Sequence, residues 1–187
     1  MRTYRLILGL AFWVLPAGLA AGPLVPYASL SPGMNVTRVR ALLTEAGMTV
    51  EREIAQEVEG TVIGLDLLAR SSDERALLRF YRDRLYLVRV IFPGAIGQPA
   101  AWARQVVRTI SERAGEPGLT GGSIQRREVF RWYIGDWLVG FHCEYANQRI
   151  GRTTFLTYVN LEIQTQFLTE RDRLREEAGT DSESGPL

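Results

Sequence analysis

His142, Cys143 and Glu144 stand side by side in WLVGFHCEYA; they are the chain's single histidine, its single cysteine and a carboxylate. A thiol beside an imidazole and an acid is the raw material of a nucleophilic site. Strand geometry pulls them apart. Side chains alternate faces along a strand, so Trp137, Val139, Phe141, Cys143 and Tyr145 share one apolar face. Leu138, Gly140, His142, Glu144 and Ala146 share the other. Cys143 is expected as a buried structural thiol, and a Cys–His pair within this strand is excluded. His142 with Glu144 stays open as an acid–base or ligand-binding pair, beside the plainer reading of a half-exposed structural histidine.

Other chemistries find less. One His and one Cys cannot supply a zinc set. DSES (181–184) is short of a calcium loop and sits in the tail. The glycines between Gly118 and Gly122 precede a strand, whereas a phosphate loop opens a helix. There is no G-x-S-x-G elbow. Asp66 lies in an apolar strand on the side away from the core, where Arg52 or Arg70 can pair with it across strands. The sequence therefore assigns no catalytic, metal-ligating or cofactor-binding residue. Its aromatics say more. Tyr81, Tyr133 and Tyr158 alternate away from the apolar side, near Arg79 and Arg131, and exposed Tyr and Arg mark interaction surfaces. Arg79, Tyr81, Arg131, Tyr133, His142 and Glu144 form the candidate surface, unless a helix covers that face.

The chain has 187 residues, 46% apolar and 23% charged, enough for one domain with a real core. Its formal charge is +1, and every basic residue is Arg. So small a charge gives no field to steer nucleic acid. With one cysteine, no intramolecular disulfide can form.

The N-terminus reads as a secretory signal: Arg2 and Arg5, the apolar run Leu6–Pro16, then AGLAAG with small residues suited to cleavage after Ala20. The expected location is periplasmic or secreted. The alternative is an uncleaved anchor, for which Leu6 to Gly22 is at the short end of the roughly 20 residues a spanning helix needs; membrane association is expected only then. No Cys follows the signal for lipid attachment.

Residues 21–31 read as a linker, 32–177 as one α+β domain with halves 32–94 and 97–177, and 178–187 as a disordered tail. In LSPGMNVTRVRALLTEAG, Asn35 is a plausible N-cap, Val36, Val39 and Leu43 share a helical face, and Gly47 suits the stop. Strands follow around turns at Glu59-Gly60, Ser71–Glu74 and Arg82–Arg84, with Ile63, Leu65, Leu67 and Ala69 on one face and Tyr86, Val88, Val90 and Phe92 at period two. Pro99 suits the first turn of a second helix carrying Trp102, Val106 and Ile110. GEPGLTGGS reads as loop. REVFRWYI, WLVGFHCEYA and TTFLTYV make an antiparallel meander, and Ile163, Phe167 and Leu174 form the stripe of a last helix. The expected fold is a twisted antiparallel sheet covered by helices on one face. Helix-then-strands occurs twice, and RFYRDRLYLVRV (79–90) aligns by eye with RWYIGDWLVGFH (131–142). Imperfect duplication and chance both account for that.

Gly33-Met34, then Val36, Val39, Leu42 and Leu43 ahead of antiparallel strands, resembles the SmpA/BamE-like outer-membrane proteins and the wider beta-lactamase-inhibitor-like fold group. Ala114-Gly115-Glu116-Pro117 and Leu156–Asn160 look like segments of exported proteobacterial proteins. The resemblance implies a helix-plus-strands module for protein contacts in the cell envelope, with another envelope protein as partner and no enzyme activity. The other reading from the residues is a small-ligand carrier or envelope enzyme using the exposed sheet face.

Overall fold

The computed structural model describes residues 29–119 and 127–183. The expected signal segment lies outside them. The chain is fastened to the strand Arg84–Ile91 before any helix begins. The Gly33 N–H donates to Leu85 O at 2.9 Å, and the Leu85 N–H returns to Met34 O at 2.9 Å. Upstream, the Trp137 indole N–H donates to the carbonyl of Leu30 at 3.1 Å. Asn35 then caps α1 (Val36–Glu45), its Oδ1 accepting from the Arg38 N–H at 2.8 Å. A second orphan donor at that end, the Val36 N–H, is taken by Asp83 Oδ1 at 2.9 Å. At the other end the Met48 N–H reaches Leu43 O and the Gly47 N–H reaches Thr44 O. That pair of bonds is a Schellman stop, and it needs the left-handed φ of +73° that Gly47 takes without a Cβ clash.

Four strands follow as a meander: β1 (Thr49–Val58), β2 (Thr61–Arg70), β3 (Arg75–Tyr81) and β4 (Arg84–Ile91). Then come α2 (Ala101–Ala114), β5 (Gly118–Leu119), β6 (Arg127–Ile134), β7 (Trp137–Ala146), β8 (Arg149–Ile150), β9 (Phe155–Val159) and α3 (Leu161–Glu183). The sheet order is β1-β2-β3-β4-β9-β7-β6-β5, with β8 beside β7, and every pairing is antiparallel. The fold is α+β, an open antiparallel sheet with three helices. Each half runs from its helix at the outside to a last strand at the centre, where β4 meets β9. On that topology β4 corresponds to β9, so the segments that align by eye, β3–β4 and β6–β7, do not occupy equivalent places.

α1 and α2 cover one face. Val39, Leu42, Leu43, Ala103, Val106 and Ile110 pack there on Leu67, Leu78, Phe80, Val88, Val139, Phe141 and Leu156. The expectation that all helices share this face is corrected by α3, which packs Ile163 and Phe167 against Tyr81, Tyr86 and Leu87 on the opposite face. Two bulges prepare that second surface. Gln56 pairs with Gly64 and Glu57 with Val62, leaving Ile63 as an extra residue. Arg79 pairs with Leu87 and Phe80 with Leu85, leaving Tyr86 as another. An extra residue breaks the alternation of faces. Ile63 and Tyr86 therefore join the α3 cluster and leave the runs in which their spacing places them. The Phe167 ring stacks on Tyr86 at 5.4 Å and meets Tyr81 edge-on at 6.0 Å.

Three boundaries differ from expectation. Pro99 precedes α2 as a bridge partner of Arg149, because the Gly97–Ala100 segment runs alongside β8 and bonds to it. Within GEPGLTGGS, Gly118 and Leu119 pair with Arg131 and Phe130 as a short strand. The last helix continues past Glu177 to Glu183, into the segment expected as disordered tail. Gly179 costs a helix about 1 kcal/mol but does not stop it.

Candidate functional site

α3 contacts β4, β1 and β3, so it shields only the first half of its face. There Asp66 is 7% exposed. It accepts a hydrogen bond from the Gln56 amide and lies 3.2 Å from Arg79 Nε. These partners replace the expected Arg52 or Arg70; Arg70 instead pairs with Glu51 at 3.1 Å. Burial raises the Asp66 pKa more than Gln56 and Arg79 lower it. Burial likewise pushes the Tyr86 hydroxyl to about 12. Tyr81, expected on an open surface, is 3% exposed. Its hydroxyl donates to Glu170 Oε2 at 2.6 Å, and Arg82 reaches both oxygens of the same carboxylate at 2.8 and 2.6 Å. Tyr81 is thus part of the α3 contact, and Arg79 is engaged by Asp66. Tyr158 is on neither surface: it is buried in the main core, edge-on to Trp137 at 6.2 Å.

The second half of the face is open. Strand register lays Arg89, Thr157, Gly140 and Arg131 in one row across β4, β9, β7 and β6. The next row holds Ile91, Phe155, His142 and Val129. Tyr133, paired with Leu138 in β7, is 75% exposed. Arg131, Tyr133, His142 and Glu144 therefore lie on one face of the sheet, the first two exposed and the last two half-buried. Sequence reasoning missed Arg89, Phe155, Thr157 and Gly140. The available signal was the alternation in LYLVRVI, which sets Arg89 opposite its apolar neighbours.

His142 stacks on Phe155 with ring centres 4.5 Å apart, and the Arg89 guanidinium sits over the Phe155 ring, 5.0 Å from its centre. Among the described residues neither imidazole nitrogen has a hydrogen-bond partner. Burial first, then Arg131 and Arg89, hold the His142 pKa below the usual imidazole range, so the ring is neutral at pH 7. Glu144 is committed elsewhere. Its Oε2 accepts from the Thr153 N–H at 3.1 Å and from the Thr153 hydroxyl at 2.6 Å, which lowers its pKa. The two therefore do not form an acid–base pair here. Cys143 is buried on the far face, and burial raises its thiol pKa. No cluster of three potential metal-ligating side chains occurs among the described residues.

No protein-family model and no curated protein matches the chain. Among solved structures, a cysteine-rich secretory protein of Staphylococcus aureus is similar with a TM-score of 0.39 and 10% identity. The match covers 71% of this chain and 48% of that one, so the chain spans about half its length. A likeness at that level carries no argument about fold or function.

Two depressions border the open surface. One of about 170 Å³ lies among Arg127, Val129, His142, Glu144, Thr153 and Phe155. That is below the roughly 300 Å³ at which small-molecule sites begin. A wider one of about 480 Å³ runs between the β6–β7 turn and the start of α3, past Gly33, Tyr133, Leu138 and Leu161. It is shallow, and Leu161 is among the exposed apolar residues. Such a surface offers rings, guanidinium forks and one imidazole to another molecule's surface. It offers no enclosed space and no paired acid and base.

Proposed function

We propose that this chain is an exported, non-catalytic protein-interaction module of the cell envelope. Its contact surface is the β6–β7–β9 half of the sheet face that α3 leaves uncovered. The observation that carries this reading is the grouping there of Tyr133, Arg131, His142, Phe155 and Arg89 on rigid strands. Tyr and Arg supply most anchor residues of protein interfaces, and a sheet holds them with little loss of freedom on binding. The N-terminal signal pattern supports export, with cleavage after Ala20. The resemblance of the Gly33-Met34 opening to SmpA/BamE-like modules supports the envelope as the setting. The hydrogen bonds from Glu144 to Thr153, and the small cavity beside His142, count against the small-ligand or enzyme alternative.

The test is site-specific photo-crosslinking in intact cells that carry the full chain. A crosslinker at Tyr133 is expected to capture one discrete partner, and Arg131→Glu is expected to reduce the yield. A crosslinker at Arg108, exposed on α2, serves as control. Equal capture at both positions, or none at Tyr133, rejects the reading. The mass of the mature N-terminus decides between a cleaved signal and an anchor.

A further inference from the structure

The row Arg89–Thr157–Gly140–Arg131 has a shape as well as a charge. Its middle is low and buried: Gly140 has no side chain, and Thr157 is 8% exposed, its hydroxyl donating to Gly140 O at 3.2 Å. A Cβ on Gly140 would stand 3.1 Å from that hydroxyl and 3.3 Å from His142 Nε2. The imidazole therefore leans over the glycine, held there by Phe155. The ends of the row are basic. Among the described residues neither Arg89 nor Arg131 has an acidic partner. The nearby Glu144 is bound to Thr153.

Arg89 and Arg131 are three strand spacings apart, about 14 Å at about 4.8 Å each. Four residues of extended chain span about 13.6 Å at about 3.4 Å per residue. A single compact anion meets one end of the row; an extended chain with acids at the first and fifth positions meets both.

We infer that this row is a docking trough for an extended acidic segment of a partner protein, crossing the strands over Gly140 with carboxylates four residues apart on Arg89 and Arg131. The inference rests on the proposed interaction surface and names the chemistry of its partner. Guanidinium forks match carboxylates in geometry as well as charge. The His142 ring covers the middle, where the peptide's own polar groups pass.

The single histidine makes the test direct, because its Hε1 proton gives one assignable NMR signal. Full-length mature protein is titrated with three probes: a Thr-rich hexapeptide with Glu at its first and fifth positions, the same composition with the two Glu adjacent, and inorganic phosphate. The spaced peptide is expected to move the His142 signal and to bind about tenfold more tightly than either control, the scale of one charge-assisted hydrogen bond. Arg89→Gln and Arg131→Gln, both at exposed positions, are each expected to lose that advantage. Its apparent titration is expected to move upward on binding, as carboxylates offset the field of Arg89 and Arg131, with Glu144 already engaged by Thr153. Equal binding of all three probes, or phosphate ahead of the peptide, overturns the inference, as does an unmoved His142 signal. Partner capture at Tyr133 that persists in the Arg89→Gln, Arg131→Gln double variant rejects the trough and leaves the interaction surface standing.

Discussion

The hydroxyl of Tyr81 and the carboxylate of Glu170 meet at 2.6 Å, joining β3 to α3 across 89 positions of sequence. Arg82 closes the same contact from the adjoining turn, and its guanidinium also lies 5.3 Å from the centre of the Tyr81 ring. This contact lies on the half of the sheet face that α3 covers.

Glu170→Gln is expected to loosen α3 without unfolding the domain. Hydrogen exchange of the amides from 161 to 174 should quicken, while those of β7 and β9 keep their protection. The hydrogen bond from Tyr81, then Arg82, lowers the Glu170 pKa. A depressed carboxylate stabilises above its unfolded value, about 4.3, and that contribution is lost as pH falls through the lower folded value. The difference in α3 protection between wild type and variant should therefore be full at pH 7 and shrink in acid. A difference that grows in acid would contradict the contact.

Asp66 has the opposite sign. Its folded pKa is raised, chiefly by burial, so ionisation at pH 7 subtracts from stability and protonation restores it. Asp66→Asn keeps an acceptor for Gln56 and removes the charge. Denaturant unfolding at pH 7 is expected to show no loss in the variant, and wild type should gain on it as pH falls toward the carboxylate range. A loss above about 2 kcal/mol at pH 7 would mean that the Arg79 attraction outweighs desolvation.

Asn35→Ala removes the cap bond to the Arg38 N–H. The expected cost is about 1 kcal/mol, or roughly 2–4 °C in Tm for a chain of this size. Asp83 still holds the Val36 N–H, so α1 should stay formed by circular dichroism. A Tm unchanged within error would show that Asp83 and water satisfy that helix end by themselves.

Gly64→Ala tests how closely β2 and β3 approach. A Cβ there falls 2.4 Å from the carbonyl oxygen of Phe80, a backbone atom that cannot swing aside. The expected loss in thermal unfolding is about 1–3 kcal/mol or more, as for an overpacked core. Gly94→Ala, with nothing within 4 Å of its Cβ, should leave Tm nearly unchanged. Equal effects at the two sites would mean that the loss has another origin.

Local signals in the sequence carried most of the elements. Asn35, Gly47, Glu59-Gly60 and Arg82-Asp83 are turn and cap residues whose chemistry acts within a few positions, and the hairpins follow from them. The alternation in WLVGFHCEYA placed Cys143 inside and His142 outside without error. The bulges were not legible, because Ile63 and Tyr86 continue an apolar alternation that gives no sign of an extra residue. The fate of Tyr81 and Tyr133 was not legible either. Both sit between Arg-flanked strand residues of the same pattern, and only the path of α3 out of β9 buries one and leaves the other open. Arg79 differs from Arg131 in having Asp66 opposite it across the strand pairing. Asp66 lies directly opposite Arg79 across the β2–β3 pairing, so its partners followed from register and not from sequence distance.

The pairing of β4 with β9 has a consequence for how the protein is made. Leu87 waits for Val159 and Ile91 waits for Phe155. Chains emerge N-terminus first, so the meander from β1 to β4 is complete while its inner edge still has nothing to bond to. That edge carries Leu87, Val88 and Val90, which are buried in the finished protein and are the kind of bare apolar strand that pairs with the wrong chain. Contacts this distant along the sequence also form slowly. The newborn first half is thus the stage at which a holding chaperone has most to protect, and the synthesis of one five-residue strand, β9, ends that need.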